Sequence, residues 1–263
     1  MINKLSTRVS NQLPNLIFPD SKRSQITPFI IIGLVLLGSI GLYFVFKDTS
    51  PLNIKQNVPV DINPVYSAVD TCLRDTLSRA VDYVSKKGGY YDTPEKSIEM
   101  EIAYYIYKNE DYMPSKEKVA EEISKYINND LSFCVNEFSQ LPEFSVEEGE
   151  VSSRVTIEND RVSVKVTYPL SITKNEKVYK LENFESEFKV RLGLVYDIAK
   201  QIIDEQKIDR ESICIGCLYD LSKKNDVYIK TLDYEDDMIY TITDENSKIN
   251  NSAFVFNFVN KYN

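Results

Sequence analysis

The side chains best suited to chemistry are four cysteines, Cys72, Cys134, Cys214 and Cys217. Cys214-Ile215-Gly216-Cys217 is a C-x-x-C, the spacing of dithiol–disulfide couples and of half a zinc site. A four-thiolate zinc site needs a second close pair, whereas Cys72 and Cys134 stand 62 residues apart. The run Asp233-Tyr234-Glu235-Asp236-Asp237 offers the carboxylates of Asp233, Glu235, Asp236 and Asp237 to a cation such as Ca²⁺. It lacks the glycine and the alternating oxygen ligands of an EF-hand loop, so a solvated acidic hairpin tip is the simpler reading. Ser115 and Lys118 form S-x-x-K, but the S-D-N and K-T-G partners of that nucleophile are missing. Behind Pro114, Ser115 reads as a helix N-cap. Asn250-Asn251-Ser252 is the only N-x-S/T sequon, which makes Asn250 a glycan acceptor if the domain faces outward.

Two absences narrow the chemistry further. The 263 residues contain no histidine and no tryptophan. Without histidine there is no Ser-His-Asp or Cys-His nucleophile, no H-E-x-x-H metalloprotease and no His-ligated haem or zinc. Three of the eight glycines (Gly33, Gly38, Gly41) fall in one apolar run, and the rest build neither a P-loop nor G-x-G-x-x-G. No cofactor is implied.

The elements that must hold these groups begin with an anchor. From Phe29 to Phe46 eighteen residues carry no charge, about 27 Å of helix. With Ile26, Thr27 and Pro28 added, residues 26–46 are expected to form a transmembrane helix. The 28 preceding residues are too long for the n-region of a cleaved signal peptide, and no A-x-A-like site follows Phe46. Residues 1–25 carry Lys4, Arg8, Lys22 and Arg23 against Asp20, whereas the whole chain has a formal charge of −9. The basic flank stays in the cytoplasm, which places the acidic remainder outside. An acidic outer domain repels nucleic acid, so none is expected as a partner.

At Lys22 to Gly33 the residues K-R-S-Q-I-T-P-F-I-I-I-G resemble the class III signal sequences of archaeal type IV pilin-like proteins. They are also similar to the start of uncharacterised single-pass archaeal membrane proteins. The resemblance implies peptidase cleavage between Ser24 and Gln25, which leaves the span intact. Pilins carry Glu at the fifth mature position to register subunits in a filament. Here that place is Phe29, which argues against a fibre.

Residues 47–64, with Pro51, Pro59 and Pro64, read as a linker that interrupts any stalk. The outer domain then spans 65–263, with possible subdomains 65–142 and 143–263. Val65, Val69, Cys72, Leu73, Leu77, Ala80 and Val84 recur at helical spacing up to Gly88-Gly89. A strand is expected over 97–108, and a second helix from Ser115 through Phe138. Val151–Glu158 and Arg161–Tyr168 flank Asn159-Asp160 as a hairpin, followed by a strand over Lys177–Val190. Helical spacing returns from Leu192 to Ile203, and Asp209 is expected to cap a short helix ending near Asn225. Strands over Val227–Leu232, Met238–Thr243 and Ala253–Val259 close the chain. This order predicts α+β with antiparallel sheet and packed amphipathic helices.

Cys72 and Cys134 both lie on apolar stripes, so either a bridge joining the two helices or two buried thiols fits them. Cys214 and Cys217, in the first turns of a helix, read as a local disulfide or a redox pair. Six tyrosines between Tyr90 and Tyr112 read as strand packing before recognition surface in so tyrosine-rich a chain. The chain is therefore expected to be a single-pass membrane protein, N-terminus inside, displaying a domain that binds an envelope protein or surface polymer. It holds a partner rather than converting a substrate. An extracytoplasmic thiol-disulfide protein is the alternative, and a pilin-like filament subunit the third reading. N-terminal sequencing tests the signal resemblance: a start at Gln25 supports pilin-type processing, and an intact Met1 excludes it.

Overall fold

Among the described residues the first regular element is a 3₁₀ turn at Val60–Ile62 that runs into helix α1 (Asn63–Lys86), so the helix starts two residues earlier than its apolar pattern. Pro64 sits in the first turn, where a missing N–H costs nothing. The stripe Val65, Val69, Leu73, Leu77, Ala80 and Val84 is fully buried. Gly88 and Gly89 end the helix with φ of +75° and +89°, and the Gly89 N–H donates to the Val84 carbonyl at 2.9 Å. The computed structural model describes residues 58–208 and 213–261. The basic segment, the span 26–46, the Ser24–Gln25 junction, most of the linker and Asp209 lie outside them. Among the described residues no helix is long and apolar enough to cross a membrane.

The architecture is α+β. After α1 come β1 (Tyr104–Tyr107), β2 (Glu110–Asp111) and α2 (Lys116–Val135). Four strands follow, β3 (Ser145–Glu148), β4 (Ser152–Ile157), β5 (Val162–Lys174) and β6 (Lys177–Phe188). Helices α3 (Leu192–Ile208) and α4 (Ile215–Asn225) lead to β7 (Tyr228–Tyr234), β8 (Asp237–Ile249) and β9 (Ser252–Lys261).

The first sheet centres on β5, with β6 along one edge and β3 and β4 sharing the other, all antiparallel. Period-2 alternation along β5 buries Val162, Val164, Val166, Tyr168, Leu170 and Ile172. Pro169, which cannot donate, lies at the break between β3 and β4, where its carbonyl accepts from Gly149 N–H at 2.7 Å. The second sheet has the order β2-β1-β9-β8-β7 and contains one parallel pair, β1 with β9. Its inner face is aromatic: Phe258 stacks on Tyr105 at 4.7 Å and on Tyr240 at 4.9 Å. One main core collects α1, α2, α3 and the inner faces of both sheets. Across it, Gly193 in the first turn of α3 lies so close to the β4–β5 turn that a β-carbon would run into the Glu158 carbonyl.

The strand expected over 97–108 is confined to Tyr104–Tyr107. Before it the chain folds back on itself. The Ile98 N–H donates to the Ile102 carbonyl at 3.1 Å, the Glu101 N–H to the Ile98 carbonyl at 2.8 Å, and Glu101 takes φ of +61°. Ile98 and Ile102 are buried together beneath Tyr104, Ile239 and Val259 on the far face of the second sheet. Alternating apolar residues thus satisfy a tight turn rather than a long strand.

Polar contacts converge on Asp244, whose side chain is fully buried. It accepts from Arg191 Nε at 2.9 Å and from Arg191 Nη2, from Ser247 Oγ at 2.5 Å and from the Asn246 N–H at 3.0 Å. Arg191 also donates to the Asn225 and Asp226 carbonyls at 3.2 and 3.0 Å. The cluster joins the start of α3, the end of α4 and the irregular stretch of β8 between Asp244 and Lys248. Burial alone would push the Asp244 carboxyl up. Arg191, Ser247 and the Asn246 N–H outweigh it and hold the group below the ordinary carboxylate range. A depressed folded value contributes stability that is complete above the unfolded value and lost as pH falls through the folded one. Asp244→Asn should therefore lower unfolding free energy by about 3 kcal/mol at pH 7, because Arg191 is left uncompensated. The deficit should begin to shrink below about pH 4, where the unfolded chain's carboxylate protonates, and vanish as pH falls through the lower folded value. Urea titrations of both proteins at several pH values measure it.

Candidate functional site

The four cysteines form two disulfides. Cys72 on α1 and Cys134 on α2 are bonded, with Cα atoms 5.6 Å apart, and Cys214 is bonded to Cys217 with Cα atoms 5.2 Å apart. They differ in what they do for the fold. Closing a 62-residue separation removes loop entropy worth ~4 kcal/mol, whereas a ring of four residues is worth ~2 kcal/mol in the same chain-entropy description. The N-cap of α4 is Cys214 itself, not Asp209. Its Sγ accepts the Cys217 N–H at 3.2 Å, the bond a Ser or Asp would usually take.

The acidic run does not converge on a cation. Asp237 turns inward as the first residue of β8, accepting from the Tyr104 hydroxyl at 2.7 Å and pairing with Lys261 at 3.3 Å. Glu235 takes φ of +54° in the turn, Asp233 is exposed on β7, and Asp236 follows at the tip. Among the described residues no group of three or more His, Cys, Asp or Glu is arranged to hold a metal ion. Ser115 caps α2 by accepting the Lys118 N–H at 3.1 Å, and the Lys118 ammonium pairs with Glu122 at 2.9 Å, so the S-x-x-K spacing is structural. Asn250 is exposed in the β8–β9 turn, where it and Asn251 take φ of +49° and +65°, values that asparagine tolerates better than most residues.

An open groove, with a volume near 610 Å³, runs between the C-terminal half of α1, α2 and the second sheet. Tyr83 and Tyr126 form its aromatic wall with ring centroids 5.5 Å apart, and Tyr91 packs against both, tilted to Tyr83 at 5.9 Å and edge-on to Tyr126 at 5.5 Å. Arg79, Lys86 and Lys87 line one side, Met100 and Ile102 another, and Asn257 on β9 lies along the floor with Asn250 at the rim. The Lys87 ammonium lies over the Tyr83 ring at 4.4 Å from its centroid and pairs with Glu101 at 2.5 Å. Met100 keeps 49% of its surface exposed and Tyr83 37%, so apolar area is offered to solvent beside amides and cations. The Tyr126 hydroxyl is pushed up to about 12, first by burial and then by its bond to Asp130, so it stays protonated. Aromatic faces, amides and cations with no unpaired acid or nucleophile equip this groove to hold something.

Of the tyrosines between 90 and 112, Tyr104, Tyr105 and Tyr107 are largely structural, packed on one another or on Phe258. The groove wall instead takes Tyr83 and Tyr126 from two helices. One sequence feature points to them: a Cys72–Cys134 bridge fixes an antiparallel register in which Tyr83, eleven residues on, comes near Tyr126, eight residues back. No protein-family model, curated protein or solved structure matches the chain.

Glu122 holds the wall from behind. Its carboxylate is 2% exposed, accepts the N–H groups of Tyr91 and Asp92 at 3.0 and 3.2 Å, and pairs with Lys125 at 2.7 Å. Burial would push this carboxyl up, but Lys125, Lys118 and the two amides hold it below the ordinary range. Glu122→Gln should therefore destabilise the protein by about 2 kcal/mol at neutral pH and loosen residues 90–92. Faster hydrogen exchange at the Tyr91 and Asp92 amides, with the gap to the parent closing below about pH 4, is the expected measurement.

Proposed function

We propose that this chain is a single-pass membrane protein whose acidic α+β domain lies outside the cytoplasm and binds an envelope protein or surface polymer through the Tyr83–Tyr126 groove. The observation that carries the reading is the pairing of all four cysteines, Cys72 with Cys134 and Cys214 with Cys217. Disulfides persist in oxidising compartments, which agrees with the orientation implied by Lys22 and Arg23 ahead of the uncharged run 29–46. The groove supports a binding role because its exposed apolar area sits beside hydrogen-bonding side chains. The sequence places Phe29 where a pilin has Glu, and a linker with three prolines follows the span, so a tethered domain is favoured over a fibre subunit.

Labelling intact cells with a membrane-impermeant lysine reagent tests the topology. Lys165 and Lys177 on the first sheet should be modified in intact cells; their protection until the membrane is permeabilised overturns the reading. Binding is tested by co-sedimenting the solubilised protein with isolated cell-envelope material. Tyr83→Ala combined with Met100→Ser should cut retention about tenfold, the effect of losing one buried apolar side chain. Equal retention by parent and variant would remove the groove from the function.

A further inference from the structure

The Cys214–Cys217 disulfide has the setting of a reactive bond rather than of a staple. Helix α4 has no buried residue at all, so the disulfide sits on an element that is only lightly packed. Cys214 is exposed and Cys217 half-buried, so the first sulfur faces solvent and the second is sheltered. Negative charge on Cys214 Sγ has a ready donor in the Cys217 N–H at 3.2 Å, at the N-terminus of an eleven-residue helix. Beside the bond a cavity of about 170 Å³ opens between α3 and α4, lined by both cysteines and by Ile202, Leu218, Leu221 and Tyr240. Ile208 in the cavity lining remains 82% exposed, and elsewhere on α4 Ile215 and Tyr219 remain 65% and 60% exposed. Large apolar side chains left in water next to an exposed disulfide are a surface that a polypeptide side chain would cover.

We propose that Cys214 and Cys217 form a redox couple that oxidises dithiols in polypeptide segments carrying apolar side chains next to their cysteines. In the first step a substrate thiolate attacks Cys214 Sγ. The S–S bond breaks with its electron pair on Cys217 Sγ, which takes up a proton. The substrate's second thiolate then attacks its own sulfur in the mixed disulfide, forming the substrate disulfide and releasing Cys214 as a thiolate held by the Cys217 N–H. The substrate dithiol loses two electrons and two protons, and the pair gains two electrons. A leaving thiolate stabilised in place departs faster, which is the contribution of the helix N-terminus. The cavity and the exposed Ile208 in its lining receive the substrate's apolar side chain and bring its thiol to the outer sulfur. This role is independent of the groove beside Tyr83.

The test uses the full chain in detergent and two synthetic peptides of equal length. Each contains a pair of cysteines, flanked by Leu and Phe in one and by Ser and Asp in the other. After acid quenching and alkylation, mass spectrometry reads which cysteines are reduced and how much peptide is oxidised. The expected result is one equivalent of the apolar peptide oxidised within minutes. Cys214 and Cys217 become alkylated in step with it, while Cys72 and Cys134 stay bonded. The polar peptide should react about tenfold more slowly, the worth of one buried apolar side chain. Ile208→Ser should remove most of that preference while leaving reduction by dithiothreitol unchanged, and Ile208 is exposed enough for the fold to survive its loss. Cys217→Ser should trap Cys214 in a stable mixed disulfide with a peptide supplied as its activated disulfide. A Cys214–Cys217 bond that neither peptide reduces in a folded protein would overturn the redox proposal. Equal rates for the two peptides would overturn the apolar selectivity.

Discussion

A carboxylate with no exposed surface must be fully paired or it unfolds its surroundings, and Asp244 is that constraint here. It interrupts β8, receives Arg191 at the head of α3, and through Arg191 gathers the carbonyls at the tail of α4. Three segments far apart in the chain are aligned by one charge. The irregular stretch of β8 that this requires is compensated by Ser247 and the Asn246 N–H, so no lone pair of the carboxylate faces the core empty-handed. The position of β8 then fixes Tyr240, and with it the stack through Phe258 to Tyr105.

Much of the fold was legible because its signals are local. The stripe of α1 and the alternation of β5 depend only on period, and both match the buried residues. The hairpin at Asn159-Asp160 and the stop at Gly88-Gly89 depend on turn chemistry within four residues. What escaped is long-range. Four residues suffice for β1, because its partner β9 lies some 150 positions on and pairs with it in parallel. The pattern from 97 to 108 gave no hint that the chain doubles back at Glu101. Asp244 falls just past the strand expected over Met238–Thr243, and nothing near it in sequence announces Arg191.

The candidate sites divide in the same way. C-x-x-C at a helix start can be read from spacing, and only the identity of the capping residue needed coordinates. The acidic run reads as a solvated hairpin tip, and composition cannot show that Tyr104 and Lys261 draw Asp237 inward. The groove was hidden because its wall comes from two helices and its floor from a strand near the C-terminus. A chain without histidine still retains two chemically usable places, one made of aromatic faces and amides, the other of two sulfur atoms.

The bond between Cys72 and Cys134 has a consequence for survival of proteolysis. It closes a loop containing the end of α1, the doubled-back turn, β1, β2 and nearly all of α2. A peptidase that cuts anywhere between those cysteines opens the backbone without separating the pieces. The nicked chain remains one covalent molecule, and Tyr83 and Tyr126, both inside the loop, stay connected to the rest of the domain whichever side of the cut they fall on. Damage at the most exposed part of that loop is thereby converted from loss of a fragment into a local break that the surrounding core can hold in register.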